Sequence, residues 1–411
     1  MTIVKQARRE VHGREARRRR VLVVPHASVL GARVRGRELA AQLARFHEVF
    51  CLTWSPHKYG APRLRDRVWA EASDVLRRVS MEDEDGVHVI RCSTLYHGGA
   101  VAAWYNSRQL YGLIKKYAIE VVINAGMLFS PRFDMPVPYI FDLVDDHAAG
   151  CLPGHRIGVE SWLADEMSRA DMVTAVSHQL VEYVGERFGR DAVYLPNGAE
   201  FGPPDAAAIR RAQDLRTALG LDGRFVIGHI GHHGGWSGLP FLLQVSLRLQ
   251  QTDPRVGLLI VGGGSEVQRL KAMGIPEVVK LVGPVSPREV RAYFLATDLG
   301  VAPYEKSQAR DHGMSLKVLE YSAARKMVVS TPLAEMETLH LPNVILAERE
   351  VDAWVDAITL ARNRRWDERW IKHFEVFEWR RIAAQLAELV EELAREAETR
   401  RDGNVHVLSH G

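Results

Sequence analysis

Cysteine is scarce in this sequence, neither charge sign dominates, and no apolar run is long enough to span a bilayer. Cys51, Cys92 and Cys151 are scattered and odd in number, which argues against a disulfide framework or a zinc site and favours buried thiols in a reducing cytoplasm. A net charge of +3 gives no support to a general nucleic-acid-binding role. The sequence also lacks the apolar core of a signal peptide. We therefore expect a cytoplasmic protein.

The positive charge is concentrated at the N-terminus. Residues 1–20 are rich in arginine and end in four consecutive arginines. Such a run predicts a solvated, disordered tail. A weak contact with anionic lipid headgroups, at the inner face of the membrane, is the alternative.

Strand-like and helix-like segments alternate along the rest of the chain, and its 411 residues suffice for two full cores. Alternation of this kind predicts parallel sheets with crossover helices. We expect an α/β protein with two doubly wound Rossmann-like domains, at residues 21–200 and 201–365, followed by a helical segment at 366–400. Ligands of such sheets bind at the carboxyl ends of strands, so a cleft between the two domains is the expected site.

The most informative motif is SLKVLEYSAARKMVVSTPL, residues 315–333. A helix that begins at Ser315 offers free N–H groups and partial positive charge to an anion. Lys317 adds a full charge, and Glu320, one turn later, can accept hydrogen bonds from sugar hydroxyls. The arrangement suits a diphosphate joined to a ribose. The alternative is a surface helix with a solvated ion pair.

Three segments, at residues 25–49, 170–200 and 225–333, resemble glycosyltransferases of the GT-B fold, in the group that includes the family-4 enzymes. The resemblance implies transfer of a sugar from a nucleotide-diphosphate sugar, bound by the C-terminal domain, to a hydroxyl or amine acceptor on the N-terminal domain. Polysaccharide, lipid-linked and natural-product acceptors are all compatible with it. It also implies that the last helix crosses back to the first domain, and that neither a metal nor another cofactor is needed.

The resemblance gives each donor-side residue a role. Lys317 would bind the diphosphate and Glu320 the ribose, with Ser315 and Leu316 at the helix start. The remaining donor-side residues are Gly231 and Gly234 in a glycine-rich loop, Gly283 and Val285 beside the nucleobase, and Tyr304 in the pocket wall.

Two departures from the family pattern affect the donor side. His312 stands where relatives often have an earlier glutamate, so His312 or Asp311 could contact the donor sugar. The glycine-rich loop has no arginine or lysine, which leaves His232, His233 or Arg310 to supply charge. Two adjacent histidines could also bind a metal, but no third ligand has suitable spacing.

On the acceptor side, the resemblance points to Gly31, Arg33 and His26 after the first strand. Asp142, at the end of an apolar strand, is the first candidate for the catalytic base and Asp145 the second, because clustered carboxylates raise one another's pKa. Alternatively, Asp145 or Asp146 caps a following helix. A base at Asp142 would suit inversion, whereas the resemblance to family-4 enzymes favours retention.

Two other functions are compatible with the sequence. A nucleotide-sugar 2-epimerase would use the same fold and donors without an acceptor. A non-catalytic partner subunit would bind the nucleotide sugar only.

Overall fold

The structure, a computed structural model, describes residues 17–27, 35–54, 79–95, 99–151 and 153–408, with backbone alone at residues 153 and 401–408. Residues 1–16 of the basic tail, together with Gly31 and Arg33, lie outside the described residues. Two parallel sheets form the centres of two α/β domains.

The N-terminal domain is built on an eight-stranded sheet. Its strands are β1 (Arg20–Val24), β2 (Glu48–Thr53), β3 (Ser80–Glu84), β4 (Val87–Arg91), β5 (Val121–Asn124), β6 (Tyr139–Leu143), β7 (Met172–Ala175) and β8 (Val193–Tyr194). Their order is β3-β4-β2-β1-β5-β6-β7-β8, and only β3 is antiparallel to its neighbour. The central strands read as continuous apolar runs because helices cover both faces of a parallel sheet.

Helices of this domain connect successive strands. They are α1 (Arg35–Leu43), α2 (Ala100–Lys116), α3 (His147–Gly150), α4 (Arg156–Arg169) and α5 (His178–Phe188), with a 3₁₀ turn at Pro153–His155. Ser177 caps α5, since its hydroxyl accepts a hydrogen bond from the Leu180 N–H, and Gly189 ends it in the left-handed conformation. Both are the residue types that these cap positions favour.

The C-terminal domain contains six parallel strands in the order β11-β10-β9-β12-β13-β14. These are β9 (Phe225–Ile230), β10 (Val256–Val261), β11 (Val279–Val282), β12 (Leu299–Ala302), β13 (Met327–Ser330) and β14 (Val344–Leu346). Its helices are α6 (Ala206–Ala218), α7 (Leu239–Gln250), α8 (Ser265–Met273), α9 (Val290–Ala296), α10 (Gln308–Asp311), α11 (Leu316–Ala323), α12 (Ala334–Leu339), α13 (Val351–Arg362) and α14 (Ile371–Phe374), with 3₁₀ turns at Gly235–Ser237, Glu368–Trp370 and Glu375–Phe377. The strand order reverses at β9, which places a crevice at the carboxyl end of that strand.

The chain passes between the domains twice, at adjacent points. The Ala199 N–H donates to the Phe377 carbonyl over 2.9 Å, and the Phe201 N–H donates to the Glu378 carboxylate over 3.1 Å. After the second crossing, helix α15 (Trp379–Leu408) returns to the N-terminal domain.

Helix α15 completes the N-terminal core. Trp379, Ile382, Leu386 and Val390 lie in one buried cluster with residues of β1, β2 and α1. Although α15 has 30 residues, no helix in the described part of the chain has both the length and the apolar character needed to cross a membrane.

Candidate active site

A cleft of about 570 Å³ lies between the two domains. Segments that follow the carboxyl ends of strands in both sheets contribute to its walls: His26 after β1, Val144 and Asp145 after β6, Gly231 after β9 and Tyr304 after β12. Parallel sheets place their loops in this way, so both domains present loop side chains to one space. The cleft is therefore the candidate site.

The start of helix α11 forms one wall of the cleft. The Ser315 hydroxyl caps the helix by accepting from the Val318 N–H at 3.4 Å, and it shares a hydrogen bond of 2.8 Å with the Tyr304 hydroxyl. Ser315, Leu316 and Lys317 all line the cavity. The helix therefore directs its N-terminal N–H groups and partial positive charge into the cleft.

Lys317 lies at this helix start and is almost completely buried, with 8 % of its surface exposed. Its ammonium group has no hydrogen-bond partner among the described residues and sits 5.2 Å from the centre of the Tyr304 ring. Burial lowers the pKa of Lys317 to about 7. A buried cation without a counter-ion is costly, so the site is electrostatically suited to an anion.

The glycine-rich loop places its two neighbouring histidines in different environments. His232 is exposed and lines the cleft, whereas His233 is fully buried and donates from Nε2 to the Val261 carbonyl over 3.0 Å. His229 lies beside His233, with ring centres 4.6 Å apart, and is also fully buried.

Burial, reinforced by the nearby Lys317 charge, lowers the pKa of both buried histidines, that of His233 to about 4. The prediction that His233 supplies positive charge to the cleft is therefore wrong. Among the described residues, no three His, Cys, Asp or Glu side chains form a group that could hold a metal ion.

The other predicted donor-side residues differ in position. Gly231, at a φ of 126°, lines the cavity, and a Cβ there would lie 3.8 Å from the Lys317 Cε. Gly234 precedes the 3₁₀ turn and is not among the cavity-lining residues; neither are Gly283 and Val285, which follow β11. The inference that these three contact the donor has no support from their positions.

An apolar wall stands beside the predicted ribose-binding residue. Val290 and Phe294 of α9 line the cavity together with Glu320, which lies one turn beyond Lys317. Neither apolar residue was identified from the sequence, because their side chains carry no motif. A carboxylate next to an apolar surface can bind a sugar hydroxyl and a flat ring.

His312 does not line the cleft. Its Nδ1 pairs with the Asp146 Oδ2 at 2.9 Å, across the domain boundary. Asp146 is 1 % exposed and also caps α3, since its Oδ1 accepts from the Ala149 N–H at 2.9 Å. Burial alone would raise the pKa of Asp146, but the hydrogen bonds from His312 and the α3 backbone outweigh it and lower the pKa. The helix-cap interpretation of Asp146 is thus confirmed, and His312 joins the domains instead of facing the donor.

Asp142, the first candidate for the base, is buried away from the cavity. Its two carboxylate oxygens accept from the Arg35 guanidinium at 2.8 and 3.0 Å, and Oδ1 also accepts from the Thr174 hydroxyl at 2.8 Å. Arg35 itself donates to the Pro196 and Leu195 carbonyls at 2.6 and 2.8 Å. The carboxylate oxygens are occupied, so Asp142 serves to hold Arg35 and not to take a proton from an acceptor.

Asp145 does line the cleft. Its side chain is 44 % exposed, and its Oδ1 lies 3.7 Å from the Arg310 guanidinium. The surrounding cleft walls desolvate the Asp145 carboxylate and raise its pKa, although the Arg310 charge acts in the opposite direction. Arg310 also stacks 4.9 Å from the Trp236 ring centre, and His26 lies exposed on the opposite wall. Asp145 is therefore the one predicted base that can reach a bound molecule.

Asn197, in the Pro-Asn-Gly segment that ends the N-terminal domain, fixes the loop before α11. Its Nδ2 donates to the Met314 carbonyl over 3.1 Å, and its Oδ1 accepts from Arg35 at 3.3 Å. The buried Glu335 carboxylate of the C-terminal domain accepts from the His178 backbone N–H at 2.9 Å. The domains are thus connected by polar contacts around the cleft as well as by the chain crossings.

Comparisons with known proteins agree with this arrangement. Residues 224–362 match the family model described as "Glycosyl transferases group 1". The chain is 32 % identical over 184 residues to "Putative teichuronic acid biosynthesis glycosyltransferase TuaH" of Bacillus subtilis strain 168, a match covering 43 % of this chain and 44 % of the relative. It is 27 % identical over 245 residues to the GDP-mannose-dependent alpha-(1-6)-phosphatidylinositol monomannoside mannosyltransferase of Mycolicibacterium smegmatis, covering 54 % and 62 %. The matched region is thus between two-fifths and two-thirds of each relative's length.

Solved structures share the fold over most of the chain. Sucrose-phosphate synthase from Thermosynechococcus elongatus superposes with a TM-score of 0.67 at 18 % identity, over 92 % of this chain and 99 % of that one. Anabaena HepE, solved in complex with UDP and glucose, gives a TM-score of 0.58 at 16 % identity over 92 % and 99 %. The chain therefore has the GT-B fold of these structures, and residues 224–362 of its C-terminal domain are similar to the group 1 glycosyltransferases.

Proposed function

We propose that this protein transfers a sugar from a nucleoside-diphosphate sugar to a hydroxyl or amine acceptor. The observation that carries the proposal is the ammonium of Lys317, which is buried at the start of α11, lines the interdomain cleft and has no hydrogen-bond partner among the described residues. A helix N-terminus and a buried cation together form a site for a diphosphate.

We propose one orientation for the donor in the cleft. The diphosphate lies against the α11 N-terminus and Lys317, near the backbone of Gly231. The Glu320 carboxylate then accepts hydrogen bonds from the ribose hydroxyls, and the base packs on Val290 and Phe294. The sugar consequently projects toward the N-terminal domain.

Charge stabilisation is the main catalytic contribution of this arrangement. The acceptor attacks the anomeric carbon while negative charge grows on the departing diphosphate. Lys317 and the helix terminus are already in place for that charge, so little reorganisation accompanies the reaction. Closure of the two domains around the donor excludes water and limits its hydrolysis.

Glycan or lipid-linked acceptors are the favoured substrate class. Curated relatives are named for teichuronic acid biosynthesis and for a phosphatidylinositol mannoside. Basic and aromatic groups line the cleft on this side and can contact sugar hydroxyls: the half-buried Arg310 and the exposed Trp236 and His26.

Asp145 is the proposed group that accepts the acceptor's proton. We expect Asp145→Asn to lower kcat by about 10²–10⁴-fold while nucleotide affinity stays unchanged, since the amide cannot act as a base. A base must be ionised, so wild-type kcat should fall as the pH drops through the raised pKa of Asp145. Rates measured from pH 4 to pH 8 should show this fall in the wild type and not in the variant.

An exposed aspartate of the same domain supplies the control. Asp134→Asn should leave kcat and its pH profile unchanged. Full activity in Asp145→Asn would remove Asp145 from the mechanism. The anomeric proton in the NMR spectrum of the product would then show whether the reaction inverts or retains.

A thermal-shift screen tests the proposed function directly. A nucleoside diphosphate that binds the folded protein should raise its Tm. At a concentration a hundredfold above Kd, binding should stabilise the folded state by about 3 kcal/mol. The matching nucleotide sugar should then yield a glycosylated product only when an acceptor is added. An epimerised nucleotide sugar formed without acceptor would indicate the epimerase instead, and binding without any turnover would indicate a partner subunit.

A further inference from the structure

Helix α2 carries a stripe of exposed side chains, with the half-buried Tyr111 among them, on the face turned away from the sheet. Val101, Trp104, Arg108, Tyr111 and Lys115 recur at intervals of three and four residues, so they lie along one side of the helix. Val101 is 67 % exposed and Trp104 is 47 % exposed. The opposite side of α2, with Leu110, Leu113 and Ile114, is buried in the core. Packing against the sheet therefore explains the apolar residues on only one side of this helix.

The segment after β5 widens the stripe. The Tyr111 hydroxyl donates to the Phe133 carbonyl over 2.6 Å, and the two rings lie 5.9 Å apart. The Arg132 N–H donates to the buried Ser107 hydroxyl over 3.0 Å. Phe133 is 52 % exposed. Val101, Trp104, Arg108, Tyr111 and Phe133 thus form one surface, which we call the α2 face.

Positive charge predominates along the α2 face. Residues 87–134 contain five lysines and arginines and two acidic residues, Glu120 and the exposed Asp134. The Arg108 guanidinium lies 5.1 Å from the centre of the Trp104 ring, and Lys115 and Lys116 extend the positive charge along the helix. Aromatic rings flanked by long basic side chains are typical of surfaces that lie at the boundary between lipid headgroups and acyl chains.

The α2 face begins at the cleft end of the domain. Helix α2 begins shortly after the carboxyl end of β4, on the side of the sheet where the cleft opens. Its 17 residues extend over about 25 Å from there. The start of the α2 face, at Val101 and Trp104, is therefore at the edge of the sheet that faces the cleft.

We propose that the α2 face docks on an anionic lipid bilayer. Trp104, Val101 and Phe133 enter the boundary region, while Arg108, Lys115 and Lys116 contact the headgroup phosphates. A protein partner would be expected to match the positive charge with acidic groups at defined positions, whereas a bilayer needs only the charge sign and the apolar rings that this face offers. The docked molecule would take acceptors directly from the membrane surface.

Vesicle co-sedimentation of the full chain tests the proposal. We expect binding to vesicles of equal parts phosphatidylglycerol and phosphatidylcholine, weakened by salt, and little binding to phosphatidylcholine alone. The double variant Val101→Ser, Trp104→Ser should reduce the partition coefficient by about tenfold or more, because it removes the buried apolar area. Arg108→Glu with Lys115→Glu should reduce it similarly.

Two control variants make the outcome decisive. Met273→Ser changes a residue of the C-terminal domain that is 74 % exposed, and it should bind vesicles like the wild type. Replacing Arg8, Arg9 and Arg14 with Gln tests the basic tail. The proposal is overturned if the tail variant alone abolishes binding, or if the α2 variants bind like the wild type. It is equally overturned if neutral vesicles bind as well, or if the α2 variants instead dissociate a dimer in solution.

Discussion

Replacing Lys317 with Ala should reduce kcat by about 10²–10³-fold and raise the KM for the donor. The size of the effect follows from the loss of a cation placed against a charge that grows in the transition state. The ammonium is buried at the start of α11 and has no partner among the described residues, so it is free to serve a ligand. Initial rates with the donor selected by the thermal-shift screen provide the measurement.

Lys271→Ala is the matched control, since Lys271 is exposed on α8 and lies outside the cleft-lining residues. It should leave both kinetic constants unchanged. A Lys317→Ala enzyme that turns over at the wild-type rate would contradict the proposed role. Removal of a buried charge should not unfold the protein, and an unchanged Tm would confirm that the loss of activity is local.

Proton uptake gives an independent readout of the same group. With a pKa of about 7 in the unliganded protein, Lys317 is mostly neutral at pH 8. A bound diphosphate favours the charged form, so nucleotide binding should take up close to one proton at pH 8 and much less at pH 6. Calorimetry in buffers of different ionisation enthalpy measures this uptake, which should disappear in Lys317→Ala.

Asp142→Ala should lower the free energy of unfolding by about 3–5 kcal/mol, because it leaves the Arg35 guanidinium buried without its counter-charge. Both side chains are about 2 % exposed, so water cannot replace the lost partner. Arg35 also donates to the carbonyls of Leu195 and Pro196 next to the domain crossing. Loss of its counter-charge should therefore also disturb the segment around Asn197. Denaturant titration provides the measurement.

Glu160→Ala offers the contrasting case of an ion pair on the surface. Glu160 pairs with Arg156 at 3.0 Å on an exposed face of α4, and its loss should cost less than about 1 kcal/mol. If Asp142→Ala kept its stability but lost kcat in the folded protein, Asp142 would return as a candidate base. The structure instead predicts that Asp142→Ala loses stability, because both carboxylate oxygens are bound by Arg35.

The sequence was sufficient for the fold. Continuous apolar strands such as Val256–Val261, separated by amphipathic helices, predict buried parallel sheets because the pattern reflects burial on both faces. The local motif around Ser315 was equally informative: the serine caps the helix, and Lys317 follows in its first turn, as the spacing requires. Local periodicity and capping are encoded by neighbouring residues, so they can be recognised without a structure.

Pairings between distant residues could not be predicted in the same way. From the sequence, Asp142 was a candidate catalytic carboxylate. In the structure, both of its oxygens accept from Arg35, which lies 107 residues earlier in the chain. His312 was likewise a candidate for contact with the donor sugar, but in the structure it pairs with Asp146 of the other domain. In both cases the sequence showed a titratable group at a strand or loop end, and tertiary packing determined whether that group faced ligand or protein.

The return of α15 to the first domain affects the order in which the protein can mature. During synthesis, residues up to about Tyr194 leave the ribosome long before Trp379, Ile382 and Leu386, which fill one side of the same hydrophobic cluster. The N-terminal domain, although translated before the C-terminal one, is consequently completed after it, and an apolar surface over β1 and α1 stays uncovered until the residues from Trp379 onward have emerged. Nascent chains stalled before Trp379 should therefore recruit chaperones at a site that the finished protein conceals.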